Sequence, residues 1–189
     1  MGSVRRKGGA VRVGLDDTEV VLLASLAAQV RALLADGLPE ELADGDDDPF
    51  AALVATQAEV DPPDDPVMRR LLPDAYRDDV DAAGEFRRLM DADVRIQKCS
   101  ALQSVMDDLS GSGTRKGDEQ RFQLDEEAAQ RWLYALNDIR LVLGTTLDVT
   151  EDMEAERDSL DPGSPRYLQF GIYDWVTWLQ DAMVRAVSD

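Results

Sequence analysis

LDEEAAQRWLYALNDIRLVLGTTLDV, residues 124–149, reads as a core helix. Ala128, Trp132, Leu133, Leu136, Ile139, Val142 and Leu143 recur at steps of three and four, which winds them onto one side of an α-helix of about five turns. Asp125 is placed to cap this helix by accepting backbone N–H groups that have no partner in its first turn. Glu126 and Glu127 suit the positive end of the helix dipole, and Gly144 is placed to end the helix in a left-handed conformation. Asn137, Asp138 and Arg140 lie close to the apolar face, where burial demands partners. They read either as a hydrogen-bonded network tying helices together or as a polar recognition site. Asp138 and Arg140 stand two residues apart and do not face each other on a helix, so each must look to another element.

Outward from this core helix the same periodicity returns. Asp16 or Asp17 opens a helix that runs to about residue 34, with Val20, Leu23, Ala24, Ala27, Val30, Leu33 and Leu34 as its buried stripe and Gly37 as its stop. Residues 83–109 form a third long helical pattern. Residues 166–187 form the last, with Leu168, Ile172, Tyr173, Val176, Leu179, Met183 and Val187 along one side and Trp175 and Trp178 flanking it. Pro66 opens a short helix over residues 67–72, and Pro73 stops it. The expectation is an all-α fold, a single-domain bundle of about four to six helices over residues 16–189, with room for a small N-terminal hairpin or short strands. Val11, Val13 and Leu15 alternate as a strand would, and residues 121–124 read as a brief strand.

Residues 1–15 carry Arg5, Arg6, Lys7 and Arg12 without an acid, and read as a basic arm or hairpin: a solvated tail, or a contact for nucleic acid or an acidic partner. Residues 36–65 read as an acidic loop, because eleven acids and no Lys or Arg fall between Arg31 and Arg69. Asp44, Asp46 and Asp48 alternate like calcium ligands, but Pro49 stands where the loop needs glycine and Ala55 where it needs the closing Glu, so no metal is expected. Residues 110–120, rich in Gly, Ser and charge, read as a flexible loop. The segment Gly113-Thr-Arg-Lys-Gly117 within it lacks the Gly-Lys-Ser/Thr order of a phosphate loop.

Charge and composition narrow the function further. Twenty basic against 39 acidic residues leave a net charge of -19, a field that repels phosphate backbones, so DNA binding by the chain alone is disfavoured. No run of 18 apolar residues and no signal-like segment occurs, which points to a cytoplasmic protein without membrane contact. The absence of histidine removes the Ser/His/Asp and Cys/His nucleophile systems and imidazole zinc sites. No catalytic residue and no cofactor is expected. Cys99 is the sole thiol and the redox candidate. It can form no intramolecular disulfide, and reads as a buried inert cysteine, or as a sensor at an exposed position where Arg95 and Lys98 lower its pKa.

Three stretches together resemble the AosR-like oxidative-stress regulators of actinobacteria, a family formerly filed as a domain of unknown function. They are DPVMRRLLPDAY at 65–76, WLYALNDIRLVLG at 132–144 and YDWVTWLQ at 173–180. The resemblance implies a mostly helical cytoplasmic domain without known catalysis, associated with an alternative sigma factor or RNA polymerase under oxidative stress and with genes of an alternative cysteine-biosynthesis route. A family mechanism built on an internal cysteine pair cannot operate with Cys99 alone. The expected partner is therefore a protein, with Arg69, Arg70, Tyr76, Tyr167 and Trp178 as candidate contacts; a homodimer is compatible with the sequence. The alternative is a small-molecule binder or enzyme of sulfur or amino-acid metabolism using Asn137, Asp138 and Arg140 in a pocket between helices.

Overall fold

In the computed structural model, the structure describes residues 2–36, 38, 65–73, 80–111, 113–150 and 152–188; for residues 80–83 and 85–89 it gives the backbone alone. In chain order the elements are β1 (Ser3–Lys7), β2 (Ala10–Asp16), α1 (Asp17–Ala35), α2 (Pro66–Leu71), α3 (Val80–Ser110), β3 (Thr114–Lys116), β4 (Glu119–Leu124), α4 (Glu126–Thr146), α5 (Met153–Ser159) and α6 (Pro165–Ser188).

The all-α expectation is overturned. The four strands form one antiparallel sheet in the order β1-β2-β4-β3, and the fold is mixed α/β. Two glycines in the left-handed region, Gly8 at φ 63° and Gly9 at φ 80°, close the β1–β2 hairpin, and Gly117 at φ 65° opens the turn between β3 and β4. Residues 110–120, expected to be an open loop, therefore contain β3, its turn and the start of β4. Between the hairpins, Val11 pairs with Leu124 and Val13 with Phe122, which puts the alternating apolar residues of both strands on one inner face. Val11, Val13, Leu15, Phe122 and Leu124 are buried there, while Arg5 and Arg12, paired on β1 and β2, stand on the other face.

Helix α1 begins with a capping box: Asp16 accepts from the Glu19 backbone N–H at 2.8 Å, and Glu19 accepts from that of Asp16 at 3.0 Å. Glu19 also accepts from the backbone N–H of Gly2 at 2.8 Å and from the indole of Trp175 at 3.0 Å, so one carboxylate joins the N-terminus, α1 and α6. By length and hydropathy alone α1 matches a membrane span. Its stripe of Leu23, Ala27, Val30 and Leu34 is nevertheless buried in the core, where α1 packs along α3.

The core helix α4 packs against α2, α3 and α6. Asp125 caps it as the sequence indicates, accepting from the Ala128 N–H at 2.8 Å. Trp132, Leu136 and Ile139 are wholly buried; the Trp132 ring tilts against Phe122 of the sheet with centroids 6.2 Å apart, and its indole donates to Asp108 of α3 at 2.8 Å. The helix does not stop at Gly144 but runs on to Thr146, and Asp148, at φ 51°, takes the left-handed conformation beyond it. Gly144 answers a different need: a Cβ there would lie 3.2 Å from Tyr173 Cε2, so its smallness lets α6 approach. Helix α5 forms within the acidic segment that joins α4 to α6. Ion pairs Arg157–Asp174 and Glu156–Arg166, both at 2.6 Å, hold it against α6.

Candidate functional site: a cationic groove along the last helix

The polar group on α4 divides once its surroundings are placed. Asp138 is buried, and its partner is Lys98 of α3, whose Nζ donates to Oδ1 at 2.6 Å, rather than Arg140. Burial pushes the Asp138 carboxyl above the usual carboxylate range; hydrogen bonding and attraction from Lys98, and hydrogen bonding from Asn137, pull it back in part. Asn137 and Arg140 are half-buried. The arrangement ties α3 to α4, as a structural network would, and the clefts described below are lined by other residues.

Cys99 neighbours this network and is buried, 5% exposed, its thiol 3.8 Å from the carbonyl oxygen of Arg31. Burial pushes the thiol pKa up; Arg31 and Arg95 draw it down, and Asp138 adds to the rise. Arg95 itself serves the helix ends: it pairs with Asp91 and donates to the carbonyls of Leu34 and Asp36 at 3.2 Å, where the negative end of α1 favours a cation.

Of the candidate contacts, Arg69 and Arg70 lie exposed in the last turn of α2, away from the others, and Tyr76 lies outside the described residues. Tyr167 and Trp178 come together. With Arg157, Gly171, Asp174 and Trp175 they line a cleft of about 460 Å³ on α6. Trp178 also lines a second cleft, of about 780 Å³, between α6 and strand β1. Its other walls are Val4, Arg5, Arg6, Lys7, Gly8 and Gly9 from the first hairpin, and Ala182, Arg185 and Ala186 from the helix. Residues 167, 171, 174, 178, 182 and 185 advance by three or four, so both clefts follow one face of α6 and meet at Trp178. Arg6 ties the far end by donating to the carbonyl oxygen of Val187 at 2.9 Å.

The result is a groove lined by Tyr167, Trp175 and Trp178 and, along its β1 half, by four cations: Arg5, Arg6, Lys7 and Arg185. In a chain of net charge -19 this is a local reversal of sign. The sequence exposes the basic arm and the aromatic helix separately. Arg185, and the open side of β1, have no signal of their own beyond the continued spacing along α6, because only the sheet brings the arm to the helix.

Fold and surface define a mainly helical α/β domain with a charged groove, in which the described residues contain no group of three or more His, Cys, Asp or Glu that could hold a metal. Residues 1–187 match the family model described as a domain of unknown function, DUF2017, and the chain belongs to that family. The oxidative stress regulators AosR of Mycobacterium tuberculosis (strain H37Rv) and Mycobacterium bovis are each 30% identical to it over 192 residues, covering 95% of this chain and 83% of theirs. A Mycobacterium leprae protein that bears the same name as a provisional designation is 34% identical over 138 residues, which cover 66% of this chain and 59% of that protein. No solved structure matches the chain.

Proposed function

We propose that this chain is a non-enzymatic regulator of the oxidative-stress response that works by binding a protein of the transcription apparatus, an alternative sigma factor or RNA polymerase, with cysteine-biosynthesis genes among its targets. The regulator names of its relatives support the stress-response role. The observation that carries the mode of action is the groove along α6, lined by Tyr167, Trp175 and Trp178 together with arginines, residue types enriched in protein contact surfaces. The strongly acidic remainder favours leaving DNA contact to the partner. The test is affinity purification of the tagged full chain from cells with and without peroxide. Recovery of a sigma or polymerase subunit is the expected result; its absence in both conditions, or tight binding of the pure chain to free DNA, overturns the reading.

A further inference from the structure

Strand β1 is an edge: among the described residues it pairs with β2 alone, in the register Val4 opposite Val13 and Arg5 opposite Arg12. An edge strand carries a row of backbone donors and acceptors on its outer side, open to pairing with another chain. Residues 4–7 of this strand line the groove, together with Trp178, Ala182, Arg185 and Ala186 of α6. A cleft bounded by an edge strand and a helix is the shape that accepts an extended peptide as an added strand, main chain to main chain, with alternate side chains reaching the helix wall. Arg5, Arg6, Lys7 and Arg185 supply charge on both walls.

We infer that the groove between β1 and α6 binds an extended, acidic segment of a partner protein, pairing its backbone with β1, its carboxylates with Arg5, Lys7 and Arg185, and an apolar side chain with Trp178. This deepens the reading above by naming the chemistry of the partner, and rests on it for the partner's biological role. A short acidic peptide sits within the cationic patch and is drawn by the local field. A nucleic acid would extend past the patch into the field of the remaining charge, and would make no use of a strand edge.

The probe is a fluorescein-labelled heptapeptide of alternating glutamate and aspartate with a central phenylalanine, added to the full chain and followed by polarisation at low and at physiological salt. Its glutamine/asparagine analogue and a 20-base-pair duplex serve as comparisons. The acidic peptide is expected to bind at least tenfold tighter than either, and binding to slow hydrogen exchange at residues 3–7. The double variant Arg5→Glu/Arg185→Glu should lose at least tenfold in affinity, and Trp178→Ala should weaken binding at unchanged salt dependence. The pair Arg70→Glu/Arg131→Glu, which changes net charge equally away from the groove, should leave affinity within twofold; circular dichroism establishes that each variant is folded. Equal loss in both charge-reversed pairs, tighter binding of the duplex, or binding without protection of β1 overturns the inference. If the peptide fails while the purification recovers a sigma or polymerase subunit, this inference falls alone. If the peptide binds and no such subunit is recovered, the proposed function falls and the groove stands.

Discussion

Asp138 and Cys99 illustrate how burial sets the behaviour of a residue that sequence alone leaves open. Because the Asp138 carboxyl is raised in the folded chain above its ordinary value of 3.8, the fold holds a proton there more readily than the unfolded chain does. As the pH falls through the raised value towards 3.8, the wild-type chain should therefore gain stability relative to Asp138→Asn, and below 3.8 the gain should be complete. Urea denaturation of both proteins from neutral to mildly acid pH reads this directly; a pH-independent difference would place Asp138 in solvent. Cys99 sits in the core, with its thiol pushed up by burial. Its reaction with a soluble disulfide reagent should be at least tenfold slower in the native chain than in denaturant, a range set by thiolate fraction and access. Native reaction at the rate of a free thiol would show that the α1–α3 contact opens readily.

At the scale of elements, α4 is the piece on which the others rest. Leu136 is wholly buried at its centre. Leu136→Ala should cost about 2 to 5 kcal/mol, the loss of transfer free energy plus the cavity left behind. A loss below about 0.5 kcal/mol in chemical denaturation, the range of surface substitutions, would contradict its placement. The helices were legible because a stripe such as Leu23, Ala27, Val30 and Leu34 is written within one local stretch, and Asp125 caps α4 through a contact three residues away. Their ends were less so. Gly144 carries an end signal by type, but the approach of Tyr173 from another helix decides its use, and α5 is held mainly by ion pairs to α6 that no local pattern announces.

For the molecule as a whole, the sheet makes the N-terminal residues part of the core. Val13 and Leu15 are fully buried against the rest of the fold. Deleting residues 1–15 should therefore strip the inner face from Phe122 and Leu124 and abolish cooperative thermal unfolding, whereas a solvated arm could be removed with no change in midpoint. The groove belongs to this scale too, since one wall is β1 and the other is α6, from opposite ends of the chain.

Legible in the chain alone were the long helices, the N-terminal caps of α1 and α4, the acidic composition and the absence of histidine chemistry, because each is a property of composition or of residues three to four apart. That the two glycine-turned hairpins join into one sheet, that Lys98 is the partner Asp138 finds, and that the basic arm and the aromatic helix share a groove were settled by tertiary contacts alone. Each of those depends on segments distant in sequence. A short strand gains its free energy only when its partner arrives, so nothing local records which partner that is.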